Sequence, residues 1–275
     1  MLVCSAACKQ EEGYETLKRK AAPALDHALL DNEVASIYEL IAQVAPGLNG
    51  YGKTQNAYLP GCVTVRYDTL FYPDTLTFDF GVAGCVMADG VRRRGQIRYV
   101  SRNGFRSVDH IGTVFLDNYE LNGSAMTASI FTIRSEAFGA WTGRRHRIEV
   151  FDARYTTETS QVIRWSCNRV AEQFNGPGTS PDWFAEYRFR GTAEGLSAAG
   201  QSFTVETEAD LPLIRKATCR NFVSGLDKVL VNGSELIQAR YDDLGLYAND
   251  PRNPEACNSY VLCQMGRSQV RVPFR

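Results

Sequence analysis

The sequence predicts a mainly β protein, an antiparallel β-sandwich or partly open barrel with a short N-terminal helix. Three observations lead there. From residue 61 onward, about a dozen short segments alternate apolar and polar residues, with turn residues every ~8–12 positions. Two Asn-Gly pairs, Asn122-Gly123 and Asn232-Gly233, separate such segments, and Asn-Gly is the strongest short hairpin signal. No strand–helix–strand alternation occurs, which argues against a doubly wound fold. The chain has 275 residues, 44% hydrophobic and 22% charged, which is enough apolar side chain to bury a core. Its net charge of −1 argues against a protein that coats nucleic acid. No apolar run reaches the ~18 residues that a membrane helix needs.

Taken in order, residues 1–24 read as a signal remnant and a polar tether, the tether being the Lys/Glu-rich stretch 9–24. Residues 25–60 hold a short helix and a linker. The helix is expected over 31–45: Asp31, Asn32 and Glu33 suit a first turn, Val34, Ile37, Ile41 and Val44 recur at helical spacing, and Pro46 stops the run. Residues 61–275 read as a single β-rich domain. Cys62–Tyr67 and Leu76–Phe80 alternate, the latter placing Leu76, Phe78 and Phe80 on one face. Gly95–Ser101, Thr113–Leu121, Ser124–Ile133, His146–Ala153 and Thr156–Ser166 follow. Phe184–Gly191, Phe203–Glu208, Val229–Val231, Glu235–Tyr241, Tyr260–Gln264 and Gln269–Phe274 complete the set.

The chain opens Met1-Leu-Val-Cys4-Ser-Ala-Ala-Cys8, small residues leading to a cysteine and polar residues following. A bacterial lipoprotein signal ends this way, which makes Cys8 the expected lipidation site, although Ser5 stands where Leu is usual. Six further cysteines, Cys62, Cys85, Cys167, Cys219, Cys257 and Cys263, are dispersed among strands with no Cys-x-x-Cys spacing. Such dispersion points to disulfides in an oxidising compartment rather than to a zinc or thioredoxin-like site.

Little in the sequence carries catalytic chemistry. Gly195-Leu-Ser197-Ala-Ala-Gly200 is one residue too long for a nucleophile elbow and reads as a turn. His27, His110 and His146 have no metal-ligand spacing, and His110 reads as a solvated loop residue. Asp79, Asp117 and Asp242 read as turn residues that bond backbone amides. Asp242, Asp243, Asn249, Asp250 and Asn253 crowd one loop without the order of a calcium loop. No phosphate-binding glycine motif occurs, and no cofactor is expected. The runs Arg92-Arg-Arg94 and Arg144-Arg-His-Arg147 open two strands and read as charged strand starts, with acidic glycans as an alternative partner. For ligand contact the candidates are Trp141, Trp183, Arg144 and Arg145. Trp165 shares a strand face with Ile163 and Cys167 and reads as core.

Several ordered segments carry a resemblance: Leu59-Pro-Gly-Cys62-Val-Thr, Asp79-Phe-Gly81 with Cys85, and Asp89-Gly-Val-Arg92 with Arg94-Gly95. Leu116-Asp-Asn-Tyr119-Glu-Leu-Asn122, Cys219-Arg-Asn-Phe-Val-Ser-Gly225, and Tyr241-Asp-Asp-Leu-Gly245 with Cys257-Asn258 continue it. Together they resemble uncharacterised exported β-rich lipoproteins of Bacteroidota. The resemblance implies export, a β-rich fold and anchoring in a Gram-negative envelope, and it implies no reaction. It pairs Cys62 with Cys85 and Cys219 with Cys257, each pair joining cysteines of matching family segments. Cys167 and Cys263, which have no counterpart in the group, are then expected as a third pair. The expectation is a cell-envelope lipoprotein with a structural or binding role, attached to the membrane by its lipid. Its partners would be glycans or envelope proteins and not nucleic acid. The alternatives are a glycan-binding module of an envelope uptake system and a glycoside hydrolase.

Overall fold

The computed structural model describes residues 13–45, 59–68, 72–136, 145–175, 186–216, 219–241, 257 and 260–273. The described residues begin with two helical segments, α1 over residues 13–20 and α2 over Ala22–Val44. Pro23 explains the break between them, because it has no N–H to donate back into the preceding turn. At the other end Ala45 has ψ 139°, the extended conformation that a following proline imposes. Helix α2 is thus longer than the expected 31–45 and starts earlier. Asp31, Asn32 and Glu33 lie inside it rather than at its first turn. The stretch 9–24, expected as a tether, contains α1 and the buried start of α2.

The strands form one antiparallel sheet. Its first half comprises β1 (Thr64–Asp68), β2 (Asp74–Asp79), β3 (Cys85–Val86), β4 (Arg92–Arg102), β5 (Ile111–Leu121), β6 (Ser124–Thr127), β7 (Ile130–Ser135) and β8 (Arg145–Thr156). The second half comprises β9 (Val162–Asn175), β10 (Glu186–Leu196), β11 (Ser202–Thr207), β12 (Leu213–Lys216), β13 (Leu226–Val231), β14 (Glu235–Arg240), β15 (Tyr260–Met265) and β16 (Ser268–Pro273). Neighbours in sequence are mostly neighbours in space, and β1 and β16 are the two ends of the order. β6 and β7 act as one interrupted strand, each pairing with both β5 and β8. Asn122 and Gly123 (φ 50° and 88°) and Asn232 and Gly233 (φ 49° and 70°) adopt the left-handed pairs that the hairpin signals predict. The expected strand Thr156–Ser166 is instead a turn followed by β9, and β3 and β12 were too short to show in the sequence pattern.

The sheet wraps the helix. Residues 30–42 of α2 are buried without a break, so every side of the helix meets protein. The inward positions of the strands, among them Phe78, Ile97, Phe131, Ile148, Trp165, Phe189 and Val229, join the helix in one apolar core. The helix is not uniformly apolar, however. Asp31, Glu33 and Glu39 project in three directions, because each residue advances about 100° around the axis. Each meets an arginine that points inward from a different strand: Arg169 of β9, Arg93 of β4 and Arg215 of β12. Buried charges survive only when paired and hydrogen-bonded, so these contacts specify how the helix is rotated within the sheet. Asp26 adds a fourth anchor, accepting the Ala198 amide of the β10–β11 turn at 2.8 Å.

Two disulfides, Cys62–Cys85 and Cys219–Cys257, are formed, with Cα–Cα distances of 5.6 and 5.1 Å. The third expected pair is not formed: Cys167 and Cys263 are both free and buried. Cys167 lies on β9 and Cys263 on β15. Four strands, β10, β11, β13 and β14, separate them along the sheet, at about 4.8 Å per step. Each thiol packs where it is as a small apolar side chain.

Candidate functional site

A dense polar cluster lies inside the core, around His27. The Trp165 indole N–H donates to His27 Nδ1 at 3.0 Å. An indole has no acceptor to offer, so Nδ1 carries no proton and Nε2 carries it, donating to Asp227 Oδ2 at 3.0 Å. Arg169 grips Asp31 with two bonds, Nε to Oδ1 at 3.1 Å and Nη2 to Oδ2 at 2.8 Å. The Thr207 hydroxyl accepts from Arg169 at 2.5 Å and donates to Asp227 Oδ1 at 2.8 Å. Burial alone would raise the Asp227 carboxyl, but the Arg169 guanidinium and the His27 and Thr207 bonds outweigh it and hold the carboxyl below its ordinary range.

His27, Asp31 and Asp227 lie close enough to share a metal ion. Their chemistry argues otherwise. Both His27 nitrogens are committed, and the cationic position is already filled by the Arg169 guanidinium. The cluster is fully buried as well, so it offers a substrate no approach. It is a structural centre.

The other two histidines are used in the same way. His146 accepts from the Tyr38 hydroxyl at 2.9 Å through Nδ1 and donates to the Phe105 carbonyl at 2.9 Å through Nε2. Burial lowers its pKa to about 4, against the opposing pull of that carbonyl. His110 bonds the Tyr99 hydroxyl and, at 3.1 Å, the Asn103 carbonyl. It is buried, which corrects its reading as a solvated loop residue. Its place inside depends on Tyr99, contributed by another strand, and a sequence window does not show that contact.

The outer face of the sheet is the accessible one, and it carries a groove of about 930 Å³ across β7 to β14. Its floor is made of short side chains, Ser166, Thr192 and Thr204, together with Asn168. Ile130 and Phe151 rise on one side, and Leu230 and Leu236 on the other, all exposed. A bulge in β8 helps to shape the first wall. There the register with β9 shifts between Val150 and Ala153, Asp152 takes φ 46°, and the Phe151 ring is left 60% exposed.

Strand register turns the floor into part of a longer row. Thr113, Thr132, Glu149, Asn168, Thr192, Glu206, Lys228, Gln238, Gln264 and Gln269 are successive cross-strand partners from β5 to β16. All ten are polar, and none is buried. Beside this row, Glu194 stands opposite Thr204. Glu149 is paired with Arg134 at 3.0 Å, and Asn168 accepts from Arg147 at 2.7 Å. Lys228 is held by Glu208.

The sequence-derived site residues fall differently. Cys8, Trp141, Arg144, Trp183 and the acidic loop from Asp242 lie outside the described residues. Arg145 is half-buried and bonds Glu136 through Nε at 2.9 Å, an intramolecular role. Arg93, from the first basic run, is 1% exposed and bound by Glu33, Asp89, Ser36 and Tyr119, so it is unavailable to a glycan. Trp165 is core, as its strand face indicates. Asp79 accepts the Gly81 amide at 2.9 Å, a turn role, whereas Asp117 pairs with Arg98 at 3.1 Å. Ser197 is buried in the β10–β11 turn. The groove residues were not singled out by sequence, because only the lateral register of seven strands brings them together. Among the described residues, no helix is long and apolar enough to cross a membrane. The two disulfides indicate an oxidising, exported compartment. No family model matches the sequence, and neither a curated protein nor a solved structure is similar to it.

Proposed function

We propose that the chain is an envelope-attached binding protein whose ligand is a carbohydrate held in the outer-face groove. The observation that carries this reading is the pairing of a hydrogen-bonding floor with apolar walls, one of them the exposed Phe151 ring. On the face of a sheet the backbone N–H and C=O groups are consumed by the strand ladder. A ligand there is recognised by side chains alone. An extended peptide laid on that face would leave its own backbone groups without backbone partners. A sugar suits the surface better: its hydroxyls meet Thr, Asn and Glu side chains, and its C–H face packs on the aromatic ring. Four strand steps from β8 to β13 span about 19 Å, room for a short oligosaccharide.

A hydrolase reading draws on Glu194 and Glu206. These sit on adjoining strands one diagonal step apart, about 7–8 Å between Cα atoms, and inverting glycosidases hold their two carboxyls at ~6.5–9.5 Å. A general acid needs a desolvated carboxyl, and both glutamates are exposed. Binding is therefore favoured over hydrolysis. Titration of the full chain with a panel of oligosaccharides tests the reading. Binding that weakens in Phe151→Ala and Asn168→Ala, with the melting temperature unchanged, is the expected result. A panel without any heat or chemical-shift change sinks it. Attachment through Cys8 is tested separately: protein made in its host partitions into detergent, and Cys8→Ser abolishes that partition.

A further inference from the structure

We propose, independently of what the groove binds, that the loop between β4 and β5, residues 103–110, is an acid-released plug. His110 and His146 clamp it onto the core only while both imidazoles are neutral. The clamp uses one design twice. His146 Nε2 meets the Phe105 carbonyl at 2.9 Å, and His110 Nδ1 meets the Asn103 carbonyl at 3.1 Å. A carbonyl can only accept, so each of those nitrogens carries its ring's proton. The opposite nitrogen of each ring is bare and accepts a tyrosine hydroxyl. Tyr38 of α2 donates to His146 Nδ1 at 2.9 Å, and Tyr99 of β4 donates to His110 Nε2. Gly112 of β5 makes room for the second contact, because a Cβ there would collide with the Tyr99 ring. Between the clamps the Phe105 ring stacks on His146 at 4.3 Å between centroids and stands edge-on to His110 at 5.2 Å. It is 5% exposed.

A second proton on either ring breaks this arrangement. It enters the nitrogen that accepts the tyrosine, so an N–H then faces an O–H. The hydroxyl has to turn away, and among the described residues neither Tyr38 nor Tyr99 makes a second side-chain hydrogen bond to turn to. Both rings are buried and their centroids lie 5.9 Å apart, so two imidazoliums would also repel each other. The titratable and charged groups facing them are Tyr38, Tyr99, Tyr187 of β10 behind Tyr38, and Arg106 and Asp109 of the loop itself. Arg106 opposes a further positive charge. Asp109 already accepts the Ser107 hydroxyl at 2.6 Å and the Asn103 side-chain amide at 2.7 Å. Arg145 and Arg147, on either side of His146, lie on the opposite strand face and pair with Glu136. Burial lowers both histidines, His146 to about 4.

The loop is built to open on its own. Its internal backbone bonds are turn bonds, Ser107 to the Gly104 carbonyl at 2.8 Å and His110 to the Ser107 carbonyl at 3.2 Å, and no strand ladder runs through it. Ser135 of β7 adds two contacts, its amide to the His110 carbonyl at 3.0 Å and its hydroxyl to the Ser107 carbonyl at 2.5 Å. Opening therefore breaks few bonds outside the clamp. It also returns the imidazoles to water, where they titrate near ~6.5. A histidine lowered in the closed state stabilises that state above ~6.5 and ceases to do so as pH falls toward the lowered value, so acid favours the open form.

Hydrogen exchange of the full chain at pH 7.5 and 5.0, corrected for intrinsic rates, tests the plug. The opening constant read from the amides of residues 103–110 should rise about thirtyfold at the lower pH from His146 alone, and further with His110. Urea below the unfolding transition should leave loop exchange unchanged, because a local opening exposes little surface, while it accelerates exchange in the β13–β14 hairpin. In His110→Gln/His146→Gln the amide groups keep a donor and an acceptor but cannot titrate, so loop exchange should be alike at the two pH values. Loop opening that ignores pH overturns the plug. So does loop exchange that follows urea as the hairpin does, or a pH dependence that survives in the folded double variant. Should that variant fail to fold, imidazole nitrogen shifts of the wild type at pH 7.5 decide: His146 protonated on Nε2 and His110 on Nδ1 are expected, and the opposite tautomer on either ring refutes the clamp.

Discussion

Arg169 of the sheet and Asp31 of the central helix meet through two parallel N–H···O contacts of 3.1 and 2.8 Å, at the centre of the molecule. Both side chains are buried, and they lie 138 residues apart in sequence. Removing either partner strands a buried charge. We expect Asp31→Ala and Arg169→Ala each to lower unfolding free energy by about 3–5 kcal/mol. The double change Asp31→Leu/Arg169→Met should lose much less than the sum of the two. Urea denaturation of the three variants measures the coupling, and additive losses would show that the pair does not hold the helix.

Trp165 fills the core and donates its indole N–H to His27. Trp165→Ala should cost about 3–5 kcal/mol from the cavity it leaves. Trp165→Phe keeps most of the apolar volume but leaves His27 Nδ1 unpaired, at a cost of about 1–3 kcal/mol. Thermal melts of the two variants should rank in that order.

Acid should weaken the fold through His146, whose pKa falls to about 4 in the folded state because of burial. A histidine with a depressed folded pKa contributes stability above its unfolded value near 6.5, and that contribution is lost as pH falls toward 4. Its full size is about 3 kcal/mol. Glu39 acts in the opposite sense. Burial pushes its carboxyl up to about 7, against the pull of Arg215, and one of its oxygens has no hydrogen-bond partner. Its contribution is complete below the unfolded value of about 4.5 and is lost as pH rises through 7. Burial lowers the His110 pKa as well, so stability measured from pH 4 to 8 should show a smaller but not abolished acid limb in His146→Gln, and should lose its neutral-to-alkaline limb in Glu39→Gln.

The free thiols should be silent until the protein opens. Burial pushes the Cys263 thiol up to about 12 and also raises that of Cys167. Alkylation of the folded protein should leave both unmodified, and denaturation without reductant should expose them while Cys62–Cys85 and Cys219–Cys257 stay intact. Peptide mapping reads the outcome. The two bridges close loops of 23 and 38 residues, so the chain-entropy model assigns them about 3.4 and 3.9 kcal/mol. Reduction should lower stability by amounts of that order.

Much of this architecture was legible in the sequence because it rests on short-range rules. Asn122-Gly123 and Asn232-Gly233 specify hairpins wherever they occur between strand segments, since both residues must adopt positive φ. Alternation places Trp165 beside Ile163 and Cys167 on the inner face, and the structure buries all three. The tertiary structure decided what the charged residues do. Asp31 and Glu33 resemble an exposed first turn, yet they lie mid-helix against Arg169 and Arg93, because arginines from distant strands meet them there. The same long-range closure placed His110 inside and left Cys167 and Cys263 apart. The groove is likewise a property of register: Ser166, Thr192 and Thr204 are ordinary polar positions along three strands. They become a floor between Phe151 and Leu230 only when those strands stack sideways in the observed alignment. A sequence window carries its own period and turns, but it does not carry the sideways neighbour of a strand, and that neighbour creates both the buried ion pairs and the accessible site.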